Sequence, residues 1–386
     1  MSDHELDAER LLAEASVQSG GLSDFGGGYR ENLDCLLEMY RGNARLSAAG
    51  RKTTRRRLTS LLRNRLHIAQ AFARAPEIRA RKLERPMYIV GLPRTGTSAL
   101  FNLLARDTAS RPLLYWEGLH PEPGPPVAPG EVDPRLAQTR QDLERAYAKN
   151  PEFRAVHQVR ADGPEECVAL LAHTLGSVQM GIEPMISPYR EYFEGQDQRA
   201  NYRYYLDLLR LLDSQRPGRR WLLKSPAHLW ALGPLAEQLP DVCIVWTHRD
   251  PVAVVGSYCS MIEALSTLRE GVDPRELGEA VLAYLVLNVE RAMRERSTLD
   301  PKRIIDVAHS EALRSPLGVV ERVYDHFGLS AGADDLARMR AYDAARAEPP
   351  AGQHRYDLER YGLRSEQIRE RFQDYARQFA PFLSAG

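Results

Sequence analysis

A loop rich in glycine and hydroxyl side chains follows the short apolar run 87–90 and precedes a helical pattern. It reads Gly91-Leu92-Pro93-Arg94-Thr95-Gly96-Thr97-Ser98. A loop between a strand and a helix N-terminus presents unpaired backbone N–H groups at the positive end of the helix dipole, so it favours an anion. Glycine lets the backbone approach that anion closely, and the arginine and hydroxyl groups add donors. The segment therefore predicts a phosphate-binding loop, with an ordinary capped strand–helix turn as the alternative.

The loop differs from the Walker A pattern G-x-x-x-x-G-K-[ST] at its most important position. Gly91 and Gly96 have the required spacing, but Thr97 stands where the lysine that reaches the β and γ phosphates should be. A P-loop-like kinase or nucleotide hydrolase therefore lacks its principal residue and stays an alternative function. A nucleotide-binding protein without catalytic activity is a second alternative.

Two further apolar runs end in residues that suit an anion. Lys224 is one of only five lysines among 52 basic residues, and His228 follows four positions later. Arg249 follows the run 242–247, and Ser257 lies eight residues beyond it. Because the carboxyl ends of parallel strands meet at one edge of a sheet, we expect these groups to join the loop. Taken singly, each is equally consistent with a solvent-facing or helix-capping residue.

The elements that would position these residues alternate between strands and helices. Strands are predicted at 87–90, 220–224, 242–247 and 304–307, and a helix, among others, at 164–180. This alternation is typical of an α/β fold with a mostly parallel sheet flanked by helices. Residues 1–85 predict a helical N-terminal extension. Residues 86–386 predict the α/β domain, with a substrate-covering loop and helices at about 117–215.

Composition excludes several classes of protein. The chain of 386 residues balances 52 basic against 52 acidic residues, so it lacks the basic excess of a dedicated nucleic-acid binder. The basic run 51–57 is expected to be a solvated helix face. Four well-separated cysteines support neither a zinc site nor a disulfide framework. The absence of an apolar run long enough for a membrane span and of a signal peptide predicts a cytoplasmic protein.

The combination of the three strand ends resembles the sulfotransferases that use 3'-phosphoadenosine 5'-phosphosulfate (PAPS). It is most similar to their bacterial branch with a Pro-Arg-Thr-Gly-Thr loop, over most of residues 86–380. The resemblance implies a P-loop-like fold and O-sulfotransferase activity. The sulfuryl group of PAPS would move in line to a hydroxyl of a small molecule or lipid, leaving PAP, with no required metal. A homo-oligomer stays open.

The resemblance also assigns roles to residues. It places the 5'-phosphosulfate against the loop residues Arg94, Thr95, Gly96, Thr97 and Ser98. It places the 3'-phosphate against Arg249 and Ser257, with further basic contacts from His354 and Arg355 in a C-terminal loop. Arg94 and Lys224 would stabilise charge that develops on the leaving phosphate and the transferred group.

Two residues are candidates for the general base that an acceptor hydroxyl needs. Glu117 matches a glutamate that several sulfotransferase branches use, and its alternative role is a polar cap. His228 lies near the catalytic histidine of other branches, which read Lys-x-His, whereas this chain has two further intervening residues. Its alternative role is a histidine at a helix start. Of the two, we predict that Glu117 is the base.

Overall fold

The computed structural model describes residues 6–42, 45–128, 130–149, 159–177, 188–218, 220–266, 269–345 and 357–383. The chain divides into two units. One contains Met1–Lys82, Leu114–Pro217 and Glu263–Val272, and it is helical in its described part. The other contains Leu83–Leu113, Gly218–Ile262 and Asp273–Gly386, and it carries the sheet.

The sheet of the second unit has five strands: β1 Met87–Gly91, β2 Ser110–Pro112, β3 Arg220–Lys224, β4 Cys243–His248 and β5 Ile304–Ala308. Their order is β2-β3-β1-β4-β5, and every neighbouring pair is parallel. The predicted mostly parallel α/β sheet is therefore confirmed. Only β2 had no sequence signal, since it is three residues long and contains Pro112.

Helices connect the strands and make up the other unit. In chain order they are α1 Ala8–Gln18, α2 Arg30–Gly42, α3 Ala48–Arg74, α4 Thr97–Leu104, α5 Tyr115–Leu119, α6 Pro134–Lys149, α7 Val168–Leu171, α8 Pro188–Gly195, α9 Arg199–Gln215, α10 Leu232–Gln238, α11 Pro251–Leu265, α12 Pro274–Arg296, α13 His309–Arg314, α14 Pro316–Phe327, α15 Ala333–Ala345, α16 Ser365–Arg371, α17 Gln373–Gln378 and α18 Ala380–Leu383. None of the helices in the described ranges has both the length and the apolar composition to cross a membrane.

One helix prediction is wrong. The expected helix over 164–180 is limited to α7 and a 3-10 turn over Ala172–Thr174. Leu175 then adopts a φ of 56°, a left-handed conformation that ends the helical path. Apolar periodicity alone did not show this break.

The core of the second unit explains why β1 is apolar throughout. Every residue of β1 is buried, because helices cover both faces of a parallel sheet. On one face Ile89 packs in a cluster with Phe101 of α4 and Val323 of α14. This packing fixes the start of α4 relative to the end of β1. The phosphate-loop sequence lies between these two points.

The close contact between β1 and β4 predicts that Gly91→Ala destabilises the protein. Gly91 has a φ of 152°, and a Cβ there would lie 2.3 Å from Thr247 Oγ1 and 2.7 Å from the Thr247 carbonyl oxygen. Since the backbone of β4 cannot move freely, the free energy of unfolding should fall by about 2–4 kcal/mol. Urea unfolding measures this loss. The control is Gly233→Ala in α10, where the nearest atom lies 3.5 Å away. Equal losses in both variants would contradict the prediction.

Candidate active site

The predicted phosphate loop connects β1 to α4 through two residues with left-handed backbone. Arg94 has a φ of 68°, and Gly96, the N-cap of α4, has a φ of 85°. In the first turn of α4 the Ala99 N–H donates to the Gly96 carbonyl at 3.1 Å, whereas the N–H groups of Thr97 and Ser98 precede this first helical hydrogen bond and adjoin the loop. The loop thus combines a helix N-terminus with a backbone close enough to cradle an anion.

Thr95 shapes this loop from the inside. Its side chain is fully buried, and its hydroxyl donates to the Leu92 carbonyl at 2.7 Å. It also lies 2.7 Å from the hydroxyl of Thr247 at the end of β4. The hydroxyl is thus held in the interior by two partners. The predicted role of its side chain as a donor stays a prediction.

Three predicted site residues from distant parts of the sequence contact one another. Arg94 Nε donates to Ser257 Oγ at 3.0 Å, and Arg249 Nη1 donates to the Arg94 carbonyl at 2.8 Å. Partial burial and the neighbouring Arg249 lower the pKa of Arg94. Among the described residues, neither of these two arginines has an ion pair with a carboxylate. We call Arg94, Arg249 and Ser257 the arginine site; its positive charge is suited to an anion.

Lys224 lies beside the first turn of α4, as its strand-end position predicted. Its Nζ donates to Ser98 Oγ at 3.0 Å, and the residue is only 3% exposed. The parallel register sets Lys224 opposite Ile89, two residues before the end of β1. A largely desolvated ammonium group therefore adjoins the anion-binding end of the loop. Thr97 begins α4 and is buried as well.

His309 is a neighbour of the loop that sequence reasoning missed. It directly follows β5, and its Cδ2 lies 2.8 Å from the position that a Cβ of residue 96 would take. Burial and the charge of Arg249 lower the pKa of His309 to about 4, so it is neutral at pH 7. The strand-end argument used for Lys224 and Arg249 would also have identified it at the fourth predicted strand.

Glu117 belongs to the helical unit, where it caps α5. Its Oε2 accepts a hydrogen bond from the Leu114 backbone N–H at 3.1 Å. Arg216 Nη2 lies 3.2 Å from Oε1 and 3.3 Å from Oε2. Glu117 is 1% exposed, whereas the Arg216 side chain is half exposed. The capping alternative is therefore observed, and the role as general base stays a prediction.

His228 is a core residue of the sheet-bearing unit. Its side chain is fully buried and packs edge-on against the Tyr88 ring, with centroids 4.9 Å apart. Burial lowers its pKa to about 3. A packing role is therefore observed for His228, and its role as a general base stays an untested alternative. His354 and Arg355, the remaining predicted contacts, lie outside the described residues.

The fold and the site define a parallel α/β protein whose strand ends form a cationic, phosphate-type anion site. The chain belongs to the sulfotransferase family: residues 86–334 match the family model described as "Sulfotransferase family". The protein is thus an enzyme that transfers a sulfuryl group, and the predicted class and family are confirmed.

Relatives from mycobacteria agree with this assignment. The crystal structure of sulfotransferase STF1 from Mycobacterium tuberculosis H37Rv has a TM-score of 0.84 and 32% identity, covering 95% of this chain and 98% of that one. STF9 from Mycobacterium avium has a TM-score of 0.85 and 27% identity, covering 96% of each chain. The omega-hydroxy-beta-dihydromenaquinone-9 sulfotransferase Stf3 of Mycobacterium bovis is 24% identical over 298 residues, 73% of this chain and 72% of Stf3.

The burial of His228 predicts a pH dependence of stability. The imidazole has a pKa of 6.5 when unperturbed and about 3 in the folded protein. Below pH 6.5 His228 therefore binds a proton in the unfolded chain but not in the folded protein. The free energy of unfolding then decreases as the pH is lowered from about 6.5 to about 3. At pH 5 this accounts for up to about 2 kcal/mol.

Urea unfolding at pH 7 and pH 5 tests this dependence. Because asparagine does not titrate, His228→Asn should lose less stability on acidification than the wild type, whatever its stability at pH 7. An equal loss in both proteins would show that His228 is protonated in the folded state.

Proposed function

We propose that the sulfuryl donor is PAPS, which carries a 5'-phosphosulfate and a separate 3'-phosphate. The observation that carries this proposal is the arginine site, where Arg249 and Ser257 meet at Arg94 of the loop. A loop for one anion with a second cationic group beside it suits a nucleotide with phosphates at both ends of its ribose. A nucleoside triphosphate carries all its phosphates in one chain at the 5' position. Its binding would instead use the Walker A lysine, which this loop lacks.

The residues present fit such a donor. The backbone of Thr95, Gly96 and Thr97, together with the Ser98 hydroxyl, would hold the 5'-phosphosulfate at the start of α4. Arg249 and Ser257 would hold the 3'-phosphate. When bound, PAPS supplies a sulfuryl group on a phosphate leaving group. His354 and Arg355 stay candidates for additional contacts to the 3'-phosphate.

Lys224 and Arg94 are proposed to stabilise the charge that develops during transfer. Lys224 is nearly excluded from water and is oriented by Ser98, so it is preorganised and acts in a medium of low dielectric constant. Arg94 lies in the same loop and has a left-handed backbone conformation. Sulfuryl transfer resembles phosphoryl transfer, in which positioning and electrostatic stabilisation provide most of the catalysis. We propose that these groups act without a required metal.

The acceptor is proposed to be a hydroxyl of a lipid or a small molecule. The name of the relative Stf3 gives it a hydroxylated menaquinone derivative, a lipid, as its substrate. With 24% identity between the two chains, this supports a hydroxylated lipid as the class of acceptor. A cytoplasmic location is proposed as well, because the four cysteines are free thiols, as in a reducing compartment.

Glu117 is proposed as the base that takes the proton of the acceptor hydroxyl. Two observations support it: Glu117 contacts Arg216, whose side chain is half exposed, through both carboxylate oxygens, and its rival His228 packs against the Tyr88 ring. The Leu114 N–H and Arg216 would also hold the carboxylate in one orientation.

Binding of PAP tests the proposed donor. PAP should raise the melting temperature without added metal, by the equivalent of about 2.7 kcal/mol at a hundredfold excess over its Kd. ATP with magnesium should raise it much less. Arg249→Ala should remove most of the PAP effect, because it removes the proposed partner of the 3'-phosphate.

Arg369→Ala is the control for this experiment, since it removes an arginine whose side chain is 63% exposed on α16. It should keep the full PAP effect. Equal stabilisation by ATP and PAP that persists in Arg249→Ala would refute the donor and favour a kinase or nucleotide hydrolase.

Turnover at saturating PAPS tests the base. Glu117→Gln keeps the shape of the side chain and an acceptor for the Leu114 N–H, but it removes the basic carboxylate. Turnover of a verified acceptor should fall by roughly 10²- to 10⁴-fold while PAP binding survives. His228→Asn should cost less. An inactive His228→Asn beside a nearly normal Glu117→Gln would assign the base to His228 instead.

A further inference from the structure

We propose that His248 is a positioning residue for the nucleotide site, and that the C-terminal helix α17 acts on Arg249 through it. This inference rests on the proposed function, in which Arg249 holds the 3'-phosphate. It concerns side chains on the face of β4 that points away from the phosphate loop.

The end of β4 is held from both faces. Successive side chains of a strand point to opposite faces, so Thr247 and His248 point in opposite directions. Thr247 contacts Thr95 of the loop at 2.7 Å. His248 is fully buried on the other face, and Arg249 is the next residue along the chain.

A chain of hydrogen-bonded polar groups, two of them buried and two partly buried, fixes His248. Arg296 of α12 donates two hydrogen bonds to the Asp306 carboxylate, both at 2.6 Å. His248 Nε2 lies 2.9 Å from Asp306 Oδ1, and its Nδ1 lies 2.9 Å from the Tyr375 hydroxyl of α17. Burial raises the pKa of Asp306, but hydrogen bonds from His248 and Arg296 outweigh this and lower it. An ionised Asp306 only accepts, so Nε2 carries the proton and Nδ1 accepts from Tyr375.

Aromatic rings surround the buried end of this network, at His248 and Tyr375. The His248 ring stacks on Phe379 with centroids 4.2 Å apart and lies 5.2 Å from the Trp246 ring. The Tyr375 ring packs against Phe379 as well, at 5.0 Å. A buried polar network in which every member has its partner gives one well-defined arrangement. The C-terminal helices thereby fix the backbone of residue 248.

The charge of the arginine site explains why this support is needed. Arg94 and Arg249 repel each other, and in the described part of the chain neither is paired with a carboxylate. A carboxylate beside Arg249 would hold it in place but would also neutralise the charge meant for the ligand. The His248 network avoids this conflict. Asp306 bonds His248, the residue before Arg249, on the other face of β4, and its charge is balanced by Arg296. Arg249 is thus positioned while its charge stays available.

Tyr375→Phe tests this inference with two nucleotides that differ only in the 3'-phosphate. The substitution removes the hydroxyl that donates to His248 and keeps the ring. The Kd of PAP should rise about 5-fold, the size expected for one hydrogen bond. The Kd of 5'-AMP, which does not reach Arg249, should stay within about 2-fold. Isothermal titration measures PAP, and competition measures 5'-AMP.

The control is Tyr324→Phe, which loses a comparable buried hydrogen bond, 2.7 Å to Asp107, outside the His248 network. It should lower the melting temperature and leave both Kd values unchanged. His248→Gln is the second variant, because its amide keeps a donor for Asp306 but loses the imidazole ring that stacks on Phe379 and places Nδ1 opposite the Tyr375 hydroxyl. It should weaken PAP at least as much as Tyr375→Phe does.

The outcomes separate the inference from the proposed function. Unchanged PAP affinity in Tyr375→Phe and His248→Gln would overturn the positioning role, as would equal weakening of PAP and 5'-AMP. A wild-type protein that binds PAP no more tightly than 5'-AMP would overturn the proposed donor itself. Weakening confined to PAP, and absent in Tyr324→Phe, supports the inference.

Discussion

The site depends on positive charge gathered at one edge of a parallel sheet, where no carboxylate of the described residues forms an ion pair with Arg94 or Arg249. Arg94 and Arg249 are brought into contact although they repel each other, and Lys224 is almost withdrawn from water beside the same helix N-terminus. Such an arrangement is unfavourable until an anion arrives. The surrounding fold must therefore supply the free energy that keeps it assembled.

Packing and buried hydrogen bonds supply that free energy away from the charges. The loop is held at the ends of β1 and β4. There Thr95 and Thr247 share a hydrogen bond, and Gly91 lets these two strands approach closely. β4 is held on its other face by His248 and the aromatic side chains around it. Neither support contributes a negative charge to the ligand side. A rigid cationic site of this kind can stabilise charge that develops during transfer without reorganising at that moment.

The two candidate bases show how burial distinguishes residues that look alike in the sequence. His228 and Glu117 are both nearly or fully inaccessible, but their partners differ. His228 packs against an aromatic ring, and burial keeps it neutral well below pH 7. Glu117 is held by a backbone N–H and an arginine that is half exposed. Burial among apolar side chains disfavours the charged form of His228, whereas the carboxylate of Glu117 is held in one orientation by hydrogen-bond donors.

The amino-acid sequence by itself determined the fold class and the strand-end positions of Arg94, Lys224, Arg249 and Ser257, and it indicated the family through its resemblance to known sulfotransferases. The fold class and these positions follow from local patterns: apolar runs that form buried strands, glycines and hydroxyls before a helix, and the convergence of parallel strand ends. The strand β2 was missed because two polar residues and a proline carry no such pattern.

Only the tertiary structure decided which partners each side chain has. It turned the Thr95 hydroxyl inward, set His309 against Gly96, and linked His248 to Tyr375 across 127 residues of sequence. It also ended the expected helix at Leu175 through a left-handed backbone. Such contacts depend on how distant elements pack, which neither the periodicity nor the spacing of residues along one segment contains.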